Sequence, residues 1–198
     1  YDCGVPIVAD MSSDILSRTL DFNKFDLIYA GAQKNMGAAG VNLVVINKNI
    51  TGKVQRIIPT VLDYRNHIKE ESMLNTPPVF AVYVAMLTLR WLKGQGGVAA
   101  IEKINDQKAD LLYSTLEAVP FINLPVAKED RSKMNVVFTM NDEKLEKEFS
   151  QLCKDHGMYG VKGHRSVGGF RISLYNALPL SSVEAVVSLI KDFAQKNS

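Results

Sequence analysis

Cysteine is scarce: Cys3 and Cys153 are the only two among 198 residues, and they stand far apart. Two distant thiols do not make a disulfide scaffold, and free thiols in a reducing compartment are the plain reading. Long apolar runs are missing too. The strongest, residues 79–89, falls short of the roughly 20 residues that a bilayer-spanning helix needs. Net charge is almost absent, since 23 Lys and Arg face 21 Asp and Glu for a formal +2. So small a surplus gives no reason to expect nucleic acid or an anionic membrane as a partner. There is no C-x-x-C pair, no metal-ligand spacing of His, Cys and Asp, no G-x-S-x-G and no Walker-type loop. No secretory signal opens the sequence, so the expectation is a soluble, cytoplasmic protein.

What is present is ordinary globular composition, 46% hydrophobic and 22% charged, enough for one large domain or two small ones. Residues 5–9, 26–30 and 41–46 are short apolar runs bounded by Asp10, Gly31, Gly40 and Asn47. Such runs suit strands buried on both faces. Residues 13–19 have helix potential between the first two. The first residue is Tyr1 and a strand begins almost at once, so these residues are expected to belong to something longer. This part predicts an α/β fold with a mostly parallel sheet.

Residues 48–74 are looser and polar. Thr76 then offers an N-cap, with Pro77 and Pro78 suited to a first helical turn. The helix that follows, to about Leu92, is apolar nearly all round, which predicts burial in a core or between domains. Gly94, Gly96 and Gly97 break the chain. The organisation expected is therefore a first domain over 1–96 and a smaller α+β domain over 97–198. In the latter, residues 98–119 read as an amphipathic helix, 135–140 and 170–174 as strands, and Asp142 as the cap of a helix closed by Gly157. Ser181 and Glu184 form a capping box for a final helix with Val183, Val186, Val187, Ile190 and Phe193 inside.

Three places could carry chemistry. Lys34 lies just past a predicted strand end among small residues, where ligands sit in α/β sheets. A lysine desolvated there, near another cation, becomes a nucleophile; the plain alternative is a surface lysine in a glycine-rich turn. Asp10 ends an apolar strand, where a buried carboxylate needs a cationic partner such as a protonated pyridine nitrogen; otherwise it is a cap or turn residue. Lys162, His164, Arg165 and Arg171 gather four basic groups among glycines. Arginine pairs bidentately with carboxylate and phosphate, so the cluster suits a doubly anionic small molecule, or is an ordinary basic loop.

The segments VADMSSDILSR (8–18), YAGAQKNMGAAG (29–40), LNTPPVF (74–80) and GHRSVGGFRISLYNALP (163–179) occur in this order and spacing. Together they resemble the phosphoserine aminotransferase family, fold-type-I enzymes that use pyridoxal 5'-phosphate. The resemblance implies that Lys34 is the Schiff-base lysine and that Asp10 holds the pyridine nitrogen protonated. It places Ser12 beside the cofactor and Gln33 on its phosphate. Asn75 and Thr76 would reach the phosphate of a partner subunit's cofactor, which implies a homodimer with shared sites. Arg171 would bind the substrate α-carboxylate, and His164 and Arg165 the substrate phosphate. The implied reaction moves an amino group between glutamate and 3-phosphohydroxypyruvate, giving 2-oxoglutarate and O-phosphoserine in serine biosynthesis. Related bacterial enzymes also serve pyridoxine synthesis.

Chains of that family are roughly twice as long. The other half would supply the ring that stacks on the cofactor, part of the phosphate cup and another substrate arginine. An isolated 198-residue chain is therefore expected to have little or no activity. Two alternatives stay open. One is another fold-type-I enzyme, an alanine–glyoxylate-type aminotransferase or a cysteine desulfurase. Gln33 in place of a histidine before the lysine, and the His164–Arg165 pair, count against the desulfurase. The other is a non-catalytic fragment that binds no cofactor.

Overall fold

The computed structural model describes residues 4–164 and 168–197. The chain divides into two compact units, Tyr1–Gln95 and Gly96–Ser198.

The first unit is built on a three-stranded sheet in the order β1 (Val8–Asp10), β2 (Leu27–Gly31), β3 (Asn42–Ile46). β1 runs parallel to β2, with Asp10 opposite Tyr29. β3 returns antiparallel, with Gly31 opposite Asn42. Alternation on β2 buries Ile28 and Ala30, which join Met11, Ile15, Ala32 and Met36 in a small core. α1 (Tyr64–Lys69) is a short helix inside the polar stretch, capped by Asp63, whose carboxylate accepts from Arg65 N–H. α2 (Val79–Gly94) follows.

Four expectations for this unit give way. The strands are not buried on both faces, since Val8 and Asp10 of β1 and Asn42 and Val45 of β3 are exposed. Residues 13–19 form turns and not a helix, because Asp10 draws the chain into a side-chain turn and Leu16 is left-handed, with φ 61°. Thr76 does not cap α2. The residue before a proline is kept out of the helical region, so Pro77 and Pro78 stay outside and Pro78 is the cap, with ψ 80°. α2 buries only Ala81, Ala85 and Leu92. Val79 and Phe80 are 70% and 75% exposed. Its apolar circumference is real, but most of it is not covered.

The second unit begins with α3 (Val98–Glu117), followed by β4 (Ile122–Asn123), β5 (Asn135–Met140), α4 (Glu143–Asp155), β6 (Phe170–Ser173) and α5 (Leu180–Lys196). The strands form an antiparallel sheet with β5 in the centre. Val136, Phe138 and Met140 point into the core from alternate positions. There Phe138 stacks on Phe170 at 5.0 Å, and Phe149 meets Phe170 edge-on at 5.2 Å. α4 starts at Asp142, whose carboxylate accepts from Lys144 N–H at 2.8 Å. α5 buries Val183, Val186, Val187, Ile190 and Phe193, the inner face expected. It starts earlier than the capping box implies: Pro179 is the cap and makes no side-chain bond, leaving Ser181 inside the first turn.

α3 holds a surprise. Its buried stripe of Ile101, Asn105, Lys108, Ala109, Leu112, Thr115 and Leu116 has helical spacing but includes a lysine. Lys108 is fully buried, and its ammonium donates to the carbonyls of Leu174, Tyr175 and Leu178 at 2.9, 3.0 and 3.2 Å. Three charge-assisted bonds offset the desolvation of one buried cation. They also fix the turn between β6 and α5.

Candidate functional site

β1 and β2 are parallel, so their carboxyl ends lie on the same side of the sheet. That is where an α/β sheet presents its loops to a ligand. Asp10 is the last residue of β1, and Gly31 the last of β2. The chain after Gly31 winds into one helical turn, closed by Met36 N–H and Gly37 N–H on Ala32 O at 3.1 and 2.7 Å. Lys34 sits on that turn and is exposed.

The two segments are laced together. Ser12 Oγ donates to Asp10 Oδ1 at 2.6 Å, and Ser12 N–H reaches the same oxygen at 2.9 Å. Ser12 Oγ in turn accepts from Gly31 N–H at 3.0 Å. Lys34 Nζ donates to Ser13 Oγ at 3.0 Å, and buried Asn35 donates through Nδ2 to Ile15 O at 2.9 Å. Asp10 is exposed, not buried as its place at the end of an apolar strand suggests. Its neighbours still make it a firm carboxylate. The Ser12 hydroxyl first, then Ser12 N–H, the Tyr29 hydroxyl and the Lys34 charge hold its carboxyl below the ordinary range. The Tyr29 phenol is pushed up, chiefly by the Asp10 charge.

Gln33 is exposed, and its side chain lies over Gly31; a Cβ there would come within 2.5 Å of Gln33 Oε1. Asn75 and Thr76 lie in the loop before α2, where Asn75 Nδ2 donates to Thr76 O at 3.1 Å. The same unit has a recess of about 890 Å³ lined by Val41, Leu43, Tyr64, His67, Asn75 and Tyr83.

The remaining candidates lie in the second unit. Residues 161–163 pair with residues 169–171: Gly163 N–H donates to Gly169 O and Arg171 N–H to Val161 O, each at 2.8 Å. The His164 carbonyl accepts from Gly168 N–H at 2.8 Å. Arg171 is exposed on β6. Arg165 lies outside the described residues. Gly169, with φ 58°, backs so closely onto the Phe138 carbonyl that no Cβ fits.

Tyr29, Ser13 and Asn35 are the residues at this site that sequence reasoning misses. Each is recognisable only from the parallel register of β1 and β2, which brings residues some 20 positions apart into contact. Cys153 is buried in the core, where burial pushes its thiol up to about 11; it is no nucleophile. No helix among the described residues is long and apolar enough to cross a membrane.

An amine and an ionised carboxylate held beside each other at a sheet end can engage the two ends of a flat heteroaromatic aldehyde. The family profile described as aminotransferase class-V matches residues 2–186. The phosphoserine aminotransferase of Flavobacterium johnsoniae is 56% identical over 192 residues, which are 97% of this chain and 54% of that protein. The solved phosphoserine aminotransferase from Bacillus circulans subsp. alkalophilus is 41% identical with a TM-score of 0.94, covering 100% of this chain and 55% of its own. A structure of PLP-bound phosphoserine aminotransferase from Trichomonas vaginalis is 37% identical with a TM-score of 0.90, covering 96% and 55%. The fold is thus that of the fold-type-I transferases, and the chain spans about half the length of the curated relatives it matches. Because the family match takes in residues of both units, the chain as a whole belongs to the class-V aminotransferase family.

Proposed function

We propose that this chain carries the lysine-bearing part of a pyridoxal-phosphate-dependent transaminase that exchanges an amino group between glutamate and 3-phosphohydroxypyruvate. The products are 2-oxoglutarate and O-phosphoserine, and the setting is cytoplasmic serine biosynthesis. The observation that carries the reading is the Asp10–Ser12–Ser13–Lys34 chain of contacts at the carboxyl ends of two parallel strands. Its donor set fits the cofactor: a primary amine for the aldehyde and a firmly ionised carboxylate for the ring nitrogen.

When bound, pyridoxal phosphate supplies an electrophilic carbon for amine exchange and a ring that withdraws electrons from the substrate. The chain's own residues do the rest. Asp10, kept ionised by Ser12, holds a proton on the ring nitrogen. Lys34 would hold the cofactor through its amine and would move a proton at the substrate α-carbon. Gln33 donates to the cofactor phosphate. Asn75 and Thr76 serve the phosphate in a second copy of the chain, which makes the working form a homodimer. Arg171 takes the substrate α-carboxylate, and His164 with Arg165 takes its phosphate. On this reading residues 1–96 are part of the cofactor-binding domain and residues 97–198 the small domain.

The test is covalent. Pyridoxal phosphate added to the chain is expected to give a band near about 410 nm. Borohydride should then fix the label on Lys34, and Asp10→Asn should weaken the band. A label on any other lysine, with Lys34 unmodified, sinks the assignment. The 198-residue chain alone is expected to show at most trace transamination; a rate near that of a full-length relative would contradict the need for the other half.

A further inference from the structure

Ser13 belongs to the contact chain at the sheet end but has no task of its own in the chemistry above, and the Lys34 amine rests on it, with Nζ donating to Ser13 Oγ over 3.0 Å. The seat is fixed from both sides. On the serine side, Asp14 and Ile15 N–H close a turn on Met11 O at 3.2 and 2.8 Å, and Met11 N–H is anchored to Tyr29 O on β2 at 2.8 Å. On the lysine side, Asn35 is 6% exposed and ties the next residue of the Lys34 turn to Ile15 O. Lys34–Ser13 and Asn35–Ile15 are successive rungs between the same two segments. A lysine amine on its flexible four-carbon stem is mobile unless a partner holds it.

We infer that Ser13 is a positioning residue for Lys34: its hydroxyl receives the amine whenever the amine is not covalently engaged and keeps it beside Asp10. This deepens the proposed function and rests on its assignment of Lys34. An amine that swung into solvent after release would lose the proximity on which a proton shuttle depends. Asp10 is the carboxylate that shares the field of Lys34, and the Tyr29 hydroxyl faces it from β2. Asp14, next to Ser13, is paired with Arg18 at 3.3 Å.

The experiment is competitive acylation of the chain without cofactor, each lysine being read by peptide mass spectrometry. A hydrogen bond to the hydroxyl withdraws the amine from reaction. Ser13→Ala is expected to raise the Lys34 rate roughly threefold to tenfold relative to exposed Lys24, and Ser13→Thr, which keeps a hydroxyl, to restore it. Lys108 stays unlabelled while the second unit is folded, and unchanged acylation of Lys24, Lys48 and Lys53 together with an unchanged far-UV circular dichroism spectrum is the folding control for the first unit, where Ser13 lies. Ser13→Gly makes the same deletion should the alanine variant not fold. Equal Lys34 rates in the wild type and both deletion variants overturn the inference. Because this arm contains no cofactor, failure of borohydride to trap pyridoxal phosphate on Lys34 overturns the cofactor assignment separately.

Discussion

The second unit encloses nearly all its large apolar side chains, whereas the first leaves close to half of its own exposed. Eighteen large hydrophobic residues of the first unit are exposed, Ile57, Phe80 and Val79 most of all, against Val126 and Tyr159 in the second. The difference follows from layers. In the second unit α3, α4 and α5 supply apolar faces for one side of a three-stranded sheet, and Phe138, Phe149, Phe170 and Phe193 interlock. In the first, the sheet has a core of only six buried residues, two each of methionine, isoleucine and alanine, and α2 turns Val79, Phe80, Tyr83 and Leu87 outward. Exposed apolar surface on that scale is a mark of an interface. A self-sufficient unit and a dependent one are joined in a single chain.

The largest effect that would break this contrast is autonomy. Residues 96–198 expressed alone are expected to melt cooperatively, and residues 1–95 alone to show no cooperative transition and to bind a hydrophobic dye. A sharp melt of the 1–95 fragment would refute the comparison. Point changes sharpen it next. Phe138→Ala should cost about 3–5 kcal/mol by denaturant titration of the second unit. Phe80→Ser, at an exposed position, should stay within about 0.5 kcal/mol; similar values for the two would mean that the α2 surface is covered.

The smallest effect is a titration. Burial pushes the Lys108 ammonium down to about 8 from an ordinary 10.5. Between those values the unfolded chain binds a proton that the folded chain does not, so this residue makes stability rise with pH across the window. Lys108→Met abolishes that titration. The difference in unfolding free energy between wild type and variant is expected to climb from pH 8 to about 10.5 and to be level below pH 8. A level difference throughout would show that the three carbonyls cancel the effect of burial.

Legibility in the sequence tracks how local each cause is. β5 is readable to the residue because burial alternates along all of it. The Asp142 cap and the inner face of α5 are equally local signals. Lys108 is not readable: its period on α3 is that of the core, but its acceptors lie 66 to 70 positions downstream. The exposure of α2 is not readable either, since an all-round apolar helix says that something covers it and not whether that something is in the same chain. Asp10 and Lys34 can each be placed at a strand end from pattern alone. That they share one end depends on the parallel register of β1 and β2, and the Ser13 and Asn35 contacts depend on it too.

Gly37 and Gly40 end the turn that carries Lys34, and both look straight onto α2. A Cβ at Gly37 would lie 3.0 Å from the Ala85 backbone, and one at Gly40 would lie 3.4 Å from Ala81 Cβ. At Gly37 helix and turn thus meet main chain to main chain, with no side-chain cushion to absorb a shift, while at Gly40 an added Cβ would make only ordinary contact. A side chain at Gly37 would therefore push the turn that bears Lys34 away from α2 without altering any residue at the ends of β1 and β2.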